Sequence, residues 1–288
     1  MPARGLIIFR APVPLVVRAD LIRAGHLPSA TCKKGNDFAL RDLPEFPVKG
    51  EIHVAGRMST QGMKLGVLCS GGKDSWCACH LAMQKEEVAC LISVRSRNEE
   101  SYMFHTPNVH LVPLQAEAAG LPLVTVETEG IEEAELRDLS RAISLAVEQY
   151  GIKGVVTGAL LSVYQATRVQ RICRDLGLWC FNPLWYTDPD AYMERLVASG
   201  FRAIITGVFA APFSADWLGR AIDRDAINDL QQYVRSDRIT LTGEGGEYET
   251  LVLDAPVFSR RIVILESEKE YANFRGILHV RRAVLEAK

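Results

Sequence analysis

The sequence predicts an α/β fold, a doubly wound, Rossmann-like parallel sheet followed by a smaller C-terminal α+β lobe. From residue 63 onward, short apolar runs alternate with helical stretches, which is typical of βαβ units with helices on both faces of a sheet. Nearer the C-terminus, strand-like runs follow one another without helices between them. Residues 1–62 show no sustained period of either kind. We therefore divide the chain into an extension at 1–62, an α/β domain at 63–187 and a smaller lobe at 188–288.

The α/β domain opens with an apolar run at residues 65–69, a glycine-rich turn and a helix at 76–84. The strongest helical pattern covers residues 131–150, where apolar side chains recur every three or four positions until Gly151 ends the pattern. Further strands are predicted at 88–94, 123–126, 154–158 and, as a fifth parallel strand, 203–207, with a helix at 163–176. In the C-terminal lobe we predict a helix at 220–234 and strands at 249–253, 261–265 and 276–284.

Hydropathy argues against a membrane segment, and the distribution of charge argues against stable nucleic-acid binding. No apolar run approaches the roughly 18–20 residues that a membrane-spanning helix needs, so we expect no membrane segment. Of the 33 Lys/Arg and 35 Asp/Glu, nine and five lie in residues 1–62, which leaves residues 63–288 net acidic. That balance argues against stable nucleic-acid binding, because phosphate contacts require positive charge. The basic, proline-interrupted residues 1–62 favour a poorly ordered extension or a start assigned too far upstream.

The seven cysteines indicate a reducing compartment. Their number is odd and no C-x-x-C pair occurs, so a secreted disulfide framework is not indicated. We expect them to be small buried apolar side chains, with a zinc or redox pair as the less favoured alternative. The expected location is cytoplasmic.

A glycine-rich loop directly after the first predicted strand is the clearest functional signal. It consists of Ser70, Gly71, Gly72, Lys73, Asp74 and Ser75. Glycines let the backbone approach an anion, and the helix that follows directs its positive end to the same place. Serine hydroxyls and the lysine suit phosphate, whereas Asp74 would repel it unless Mg²⁺ lies between them. The alternative is a turn that only caps the helix.

The loop is not a Walker A sequence, which would read G-x-x-x-x-G-K-[ST]. Its S-G-G-x-D-S pattern resembles the phosphate loop of the N-type ATP pyrophosphatases. The resemblance implies an ATP-pyrophosphatase nucleotide-binding domain at 63–187 that cleaves ATP between the α and β phosphates and holds the departing pyrophosphate. It also implies a nucleotide-binding role for Gly158, which ends the fourth predicted strand.

Three further stretches are candidates for the site, each with a structural alternative. Residues 99–108 contain Tyr102, His105 and Asn108, and His105 or Asn108 could simply cap the next helix. Residues 158–168 place Tyr164 and Arg168 four positions apart on one helix, where they could form a stacked surface pair. Residues 243–250 read G-E-G-G-E-Y-E-T and could be a plain turn into a strand, or a group of carboxylates at an open site.

Together with the phosphate loop and Asn182-Pro183-Leu184-Trp185, these stretches resemble the diphthine–ammonia ligase family across nearly all of residues 63–288. The most specific part is G-E-G-G-E-Y-E-T followed by L-V-L-D-A-P. The resemblance implies that ATP adenylates the carboxylate of diphthine, a modified histidine of translation elongation factor 2. Ammonium nitrogen then displaces AMP and gives diphthamide. Ending at Lys288, the chain resembles the compact, archaeal-like form of the family.

Diphthine carries a trimethylated ammonium group, so the resemblance implies that aromatic and acidic residues are candidates for binding it. A quaternary ammonium group donates no hydrogen bond, so aromatic faces and carboxylates suit it. Tyr186 also offers an aromatic face of this kind. The substrate-binding candidates are Tyr102, Asn108, Tyr164, Arg168, Trp185, Glu244, Gly245, Gly246, Glu247, Tyr248 and Glu249.

The attacking nitrogen is external, so no protein nucleophile is required. The catalytic candidates are Lys73 and Asp74 in the loop, with His105 or Glu247 as the base. The expected cofactors are ATP and Mg²⁺, the expected partners are diphthine-bearing elongation factor 2 and ammonium, and a homodimer is allowed. Two alternatives stay open: a tRNA-modifying ATP pyrophosphatase and a non-catalytic adenine-nucleotide-binding module.

Overall fold

Two sheets carry the fold in the computed structural model, which describes residues 62–97, 107–131, 134–236 and 239–288. Apart from Gly62, the predicted extension lies outside the described residues, as do the site candidates Tyr102 and His105. No helix within the described ranges is long and apolar enough to span a bilayer.

The first sheet is parallel and five-stranded. Its strands are β1 (Lys64–Leu68), β2 (Glu87–Ser96), β3 (Leu123–Thr128), β4 (Gly154–Val156) and β5 (Trp179–Phe181), in the spatial order β3-β2-β1-β4-β5. The chain therefore runs outward from β1 to β3 and then returns to place β4 on the other side of β1. Ligands bind in such sheets at the carboxyl ends of the strands, at this reversal of strand order. The loop after β1 and the loop after β4 meet there.

Helices cover both faces of this sheet, as the alternating pattern predicts. They are α1 (Lys73–Met83), α2 (Val112–Ala119), α3 (Ala134–Tyr150) and α4 (Val163–Asp175). The apolar stripe of α3, which includes Leu139 and Ile143, packs with Val169 of α4 on one face of the sheet. Trp76 of α1 and Val112 of α2 lie in a larger core that also includes the second sheet.

The C-terminal lobe is α+β, as predicted. Its elements are α5 (Pro189–Ala198), β6 (Arg202–Val208), α6 (Arg224–Arg235), β7 (Tyr248–Asp254), β8 (Arg260–Ala272) and β9 (Arg275–Ala287). The strands form an antiparallel sheet in the order β7-β6-β9-β8. The residues that the structure describes fall in one compact unit, and the boundary proposed near residue 187 stays a prediction.

The prediction of a fifth parallel strand at 203–207 is wrong. That run is β6, which pairs antiparallel with β7 and β9 in the second sheet. The true fifth parallel strand is β5, whose three residues are apolar but form a run too short to show a strand period. A buried run such as β6 has the same composition as a parallel strand because a central strand of either sheet is covered on both faces.

The two sheets are joined next to the phosphate loop. The carbonyl of Gly71 accepts hydrogen bonds from the backbone N–H of Val252 (3.0 Å) and from the side-chain amide of Gln115 (2.9 Å). The same amide donates to the carbonyl of Val252 at 2.8 Å. Strand β7 is thereby fixed against the loop, so the residues before it reach the same site.

The described cysteines agree with the buried roles predicted for them. All six are free thiols, five of them buried and Cys180 half-buried. Burial raises the pKa of Cys69 to about 11, so this thiol beside the phosphate loop stays protonated and is a poor nucleophile. Within the described residues no cluster of three or more His, Cys, Asp or Glu has the form of a metal site.

Candidate active site

A cavity of about 410 Å³ opens at the carboxyl ends of β1, β2 and β4. One wall is the phosphate loop with Gly158, and the opposite wall comes from residues 242–250. A third wall is apolar and contains Ile92, Val94 and Leu139. The cavity thus joins the two motifs that are about 170 positions apart in the sequence.

Two glycines hold the phosphate loop in its shape. Gly71 has φ +89°, a left-handed conformation that side chains other than glycine rarely adopt. Helix α1 begins at Lys73, and Gly72 before it supplies no side-chain cap. Among described groups Thr250 Oγ1 accepts from the Lys73 N–H at 3.1 Å, and the rest of the first turn has no intrahelical acceptor. This end of α1 therefore suits an anion.

Gly158 brings the loop after β4 against the same helix end. A Cβ at this position would lie 2.7 Å from the carbonyl carbon of Asp74 and 2.8 Å from the backbone nitrogen of Ser75. Both are backbone atoms, so a larger residue would push the phosphate loop aside. This close approach explains why position 158 requires glycine, and the nucleotide-binding role of Gly158 stays a prediction.

Lys73 is a buried cation held by three neighbours. Its ammonium donates to the carbonyl of Thr242 at 2.5 Å and to Asp74 Oδ2 at 3.0 Å, and it lies 5.3 Å from the centroid of the Tyr248 ring. Burial by itself would lower the pKa of Lys73, but the Asp74 carboxylate and Tyr248 raise it above its ordinary value. Lys73 is therefore charged across the physiological range.

Asp74 has a second partner that no sequence motif indicated. The hydroxyl of Tyr192, on α5, donates to Asp74 Oδ1 at 2.6 Å. Burial, and then the charge of Asp74, raises the pKa of Tyr192 well above its ordinary value, so the phenol remains a donor. Both oxygens of Asp74 thus accept a hydrogen bond from within the protein.

Glu244 connects the acidic stretch to the start of α4. Its Oε2 accepts from the backbone N–H groups of Leu161 (3.1 Å) and Ser162 (2.9 Å). Ser162 in turn caps α4 by accepting from Gln165. Burial raises the pKa of Glu244, the nearby Asp74 adds to this, and the two backbone donors oppose it. Glu244 lines the cavity and also fixes its rim.

Glu247 has a different environment from its neighbours. Its carboxylate accepts from the N–H (2.7 Å) and the hydroxyl (3.1 Å) of Thr240, and it does not line the cavity. A Cβ at Gly245 would lie 2.6 Å from Glu247 Oε1, so this glycine makes room for the folded-back carboxylate. The contacts of Glu247 therefore match the alternative in which residues 243–250 are a plain turn into a strand.

Tyr248 and Glu249 belong to the cavity wall that residues 242–250 form. Tyr248 is buried and donates its hydroxyl to the carbonyl of Leu241 at 2.7 Å. Glu249 is half-buried, and its carboxylate makes no hydrogen bond or ion pair within the described part of the chain. Burial raises the pKa of Glu249 to about 7, the Lys73 charge opposes this, and Asp74 and Glu244 add to it.

Other predicted substrate-binding residues divide between the cavity and the surface. Tyr164 lines the cavity, while the Arg168 guanidinium lies 3.3 Å from the centroid of its ring, so the predicted stacked pair is present. Trp185 packs edge-to-face on Tyr186 with 5.4 Å between ring centroids, outside the cavity lining.

Asn108 lies away from the cavity and joins the two sheets. Its Nδ2 donates to the carbonyl of Leu278 at 2.8 Å, and its Oδ1 accepts from the N–H of Val280 at 2.7 Å. The residue has φ +66° and is buried, so its side chain pairs with β9 as another strand would. These contacts occupy the amide oxygen and one of its N–H groups.

The structure therefore brings together most, but not all, of the predicted residues. Those that line the cavity are Ser70, Gly72, Lys73, Asp74, Ser75, Gly158, Tyr164, Glu244, Gly245, Gly246, Tyr248 and Glu249. Those described outside the lining are Gly71, Asn108, Arg168, Trp185 and Glu247. Thr242, Thr250 and Tyr192 were not among the candidates; Thr250 ends the recognised stretch 243–250 and Thr242 directly precedes it, whereas Tyr192 has no local signal. Thr242 Oγ1 is buried without a hydrogen-bond partner in the described residues.

The family models and the named relatives that match this chain all point to one family. Residues 63–180 match the family model of the diphthamide synthase N-terminal domain, and residues 188–285 match that of the C-terminal domain. A Bos taurus protein named diphthine–ammonia ligase is 32% identical over 233 residues, covering 72% of this chain and 84% of the relative. The Mus musculus protein of that name is 33% identical with the same coverage. A Schizosaccharomyces pombe protein of that name is 34% identical over 223 residues, but this chain spans only 37% of its length.

Proposed function

Because this chain belongs to the diphthamide synthase family, we propose that it is a diphthine–ammonia ligase. It amidates the carboxylate of diphthine on translation elongation factor 2 with ammonium and ATP, through an acyl-adenylate, and releases AMP and diphosphate. The observation that carries the proposal is the meeting of two motifs at one cavity, where Lys73 of the phosphate loop donates to Thr242 and Thr250 beside the acidic stretch. The tRNA-modifying and nucleotide-sensing alternatives are not favoured by the family match.

The residues present fit ATP. The start of α1, where Gly72 supplies no side-chain cap, and the buried Lys73 suit the phosphates, and Gly158 lets the loop after β4 pack against that helix end without displacing it. The apolar wall with Ile92 and Val94 suits a flat adenine base. When bound, ATP would supply an electrophilic α-phosphorus, which activates the substrate carboxylate by giving it AMP as a leaving group.

Mg²⁺ at Asp74 is part of the proposal. Asp74 lines the cavity, and carboxylate oxygens are the ligands that Mg²⁺ prefers. Since Lys73 and Tyr192 each donate to one Asp74 oxygen, a metal ion would bind beside an already oriented carboxylate. Lys73 would then share its charge between Asp74 and the phosphates.

The diphthine side chain would enter from the rim formed by α4 and the acidic stretch. Tyr164 offers an aromatic ring at the cavity, and Glu244 and Glu249 offer negative charge. This combination suits a quaternary ammonium group, which is held by ring faces and by charge rather than by hydrogen bonds. The guanidinium of Arg168 is stacked on the Tyr164 ring, which supports a cation-binding role for this ring.

We assign the proton acceptor to Glu249. Ammonium must lose a proton before its nitrogen has a lone pair for the attack on the activated carboxylate. Among the described carboxylates that line the cavity, Asp74 and Glu244 each accept two hydrogen bonds, whereas Glu249 accepts none. A pKa near 7 suits a general base at neutral pH.

The test is a pyrophosphate assay with ATP, Mg²⁺, ammonium and elongation factor that carries diphthine. We expect pyrophosphate release that depends on both ammonium and the diphthine-bearing factor. Release no greater than that with ATP alone would overturn the proposed function. Bulk tRNA in place of the factor is the control for the rival activity, and tRNA-dependent release would favour that rival. A homodimer and a cytoplasmic location stay predictions.

A further inference from the structure

We propose that Tyr192 is a positioning residue that sets the orientation of the Asp74 carboxylate for the nucleotide site. It belongs to α5 in the C-terminal lobe, 118 positions from Asp74 in the sequence. Tyr192 has this role only if the cavity is the nucleotide site, as proposed above. The inference adds a residue from outside the phosphate loop to the machinery of the loop.

The geometry of the contact supports the role. The Tyr192 hydroxyl donates to Asp74 Oδ1 at 2.6 Å, a length typical of an O–H donor bound to a charged acceptor. Lys73 donates to the other oxygen at 3.0 Å. A carboxylate rotates broadly about its last torsion, and two donors on opposite oxygens restrict that rotation. Without the phenol, Lys73 would be the one described residue that donates to the Asp74 carboxylate, and Lys73 is also the cation needed by the phosphates.

The surroundings of Tyr192 keep the hydroxyl in place. Its side chain is fully buried in the larger core, and α5 is fixed at its start by Asp188, which accepts from the N–H of Ala191 at 2.9 Å. Phenylalanine would fill the same space. Tyr192→Phe therefore removes one hydroxyl from a packed site and changes little else.

A purely structural hydroxyl in the same lobe provides the matched control. Tyr271 donates its hydroxyl to the carbonyl of Phe213 at 2.8 Å, and Tyr271 does not line the cavity. Tyr271→Phe removes a hydrogen bond of similar length from a partly buried site. Any effect that follows only from lost stability should occur in both variants.

The experiment measures ATP binding as Mg²⁺ is titrated, together with the melting temperature, for the full chain and four variants. These are Tyr192→Phe, Tyr271→Phe, Asp74→Ala and the double variant of Tyr192 and Asp74. For Tyr192→Phe we expect the Mg²⁺ concentration at half-maximal binding to rise about 5- to 10-fold, which a lost hydrogen bond to a charged group can cause. Tyr271→Phe should lower the melting temperature without changing the Mg²⁺ dependence.

The double variant separates positioning from general destabilisation. If Tyr192 acts through Asp74, removing its hydroxyl in the Asp74→Ala background should change ATP binding less than twofold. Equal effects of Tyr192→Phe in the two backgrounds would overturn the role, as would an unchanged Mg²⁺ dependence in Tyr192→Phe. Equal shifts in Tyr192→Phe and Tyr271→Phe would overturn it too, and that comparison decides the question even if Asp74→Ala does not fold.

Failure of the proposed reaction gives a different result from failure of the positioning role. If the unaltered chain binds ATP but releases no pyrophosphate with diphthine-bearing factor and ammonium, the ligase assignment fails while the binding data still decide the role of Tyr192. If the unaltered chain binds no ATP at any Mg²⁺ concentration, both are overturned.

Discussion

The phosphate loop and the acidic stretch at 243–250 form opposite walls of one cavity, but they are built on different principles. In the loop, Gly71 and Gly72 lead directly into the first turn of α1 at Lys73, so the backbone conformation determines the shape of this wall. In the acidic stretch, Glu244 and Glu249 line the cavity, while Glu247 folds back onto Thr240. In the phosphate loop, neighbouring residues therefore share one role because the backbone defines the wall. In the acidic stretch, neighbouring glutamates have different roles because each side chain makes its own contacts.

The backbone wall should be the more sensitive to a small change. Gly158→Ala places a methyl group 2.7 Å from the backbone of Asp74 and so displaces the start of α1. We expect pyrophosphate release to fall by about 100-fold or more, since a displacement of about 1 Å in a catalytic site has that effect. Rates at saturating ATP and the melting temperature are the measurements.

Gly151→Ala is the control for Gly158→Ala. Gly151 has φ +66° and no atom within 4 Å of an added Cβ, so the change strains the backbone just before β4 without reaching the cavity. It should lower stability by about 1 kcal/mol and leave the rate intact. A Gly158→Ala variant with the rate of Gly151→Ala would show that the close approach of the two loops is unimportant.

In the side-chain wall, Glu249 should matter most. Glu249→Gln keeps the shape but cannot accept a proton, so ammonium-dependent pyrophosphate release should fall by about 100-fold, the lower end of what a general base contributes. ATP binding should change far less. Normal turnover in Glu249→Gln would exclude it as the base and leave His105, outside the described residues, as the candidate from the sequence.

Asp74→Asn tests the proposed metal site in the phosphate loop. The substitution removes the charge that Lys73 and a Mg²⁺ ion would share but keeps an oxygen for Tyr192. We expect turnover to fall by about 30-fold, which corresponds to roughly 2 kcal/mol of lost charge-assisted interaction. Asp175→Asn, at an exposed pair with Arg174, is the control. Unchanged turnover and Mg²⁺ dependence in Asp74→Asn would contradict the metal role.

The raised pKa of Glu249 also predicts how stability depends on pH. Its folded-state pKa of about 7 lies above the ordinary 4.5, so the folded chain binds a proton that the unfolded chain releases between these values. Glu249 therefore makes the free energy of unfolding fall as pH rises from about 4.5 to about 7. Glu249→Gln should lose this contribution, on the order of 1–3 kcal/mol, in denaturant unfolding at about pH 5 and pH 8. Parallel pH dependences in the two proteins would show that Glu249 is not desolvated.

The smallest effect on catalysis is expected at Glu247. Glu247→Gln weakens two hydrogen bonds to Thr240 but touches no cavity atom, so stability should fall by about 1 kcal/mol and the rate should stay within about twofold. A rate as low as that of Glu249→Gln would place Glu247 in the catalytic machinery and remove the distinction between the two glutamates.

The sequence predicts the features that depend on neighbouring residues and not those that depend on tertiary packing. The parallel sheet, its helices and the phosphate loop follow from local patterns, because alternating apolar runs and a strand–glycine–helix junction are determined by nearby residues. The assignment of β6 to the second sheet does not, since a buried strand has the same pattern in either sheet. The contact of Tyr192 with Asp74 depends on how α5 packs in the larger core, and no spacing within α5 encodes it.

The proposed function requires that the two walls of the cavity together join ammonia to a carboxylate on the elongation factor. Isotopically labelled ammonium, incubated with the chain, ATP, Mg²⁺ and diphthine-bearing factor, tests it most directly, with the modified histidine peptide then analysed by mass spectrometry. We predict that the label appears in the amide of diphthamide only when ATP is present, and that one pyrophosphate is released for each amide formed. An unlabelled peptide alongside continued pyrophosphate release would contradict the account, because ATP would then be cleaved for some other acceptor.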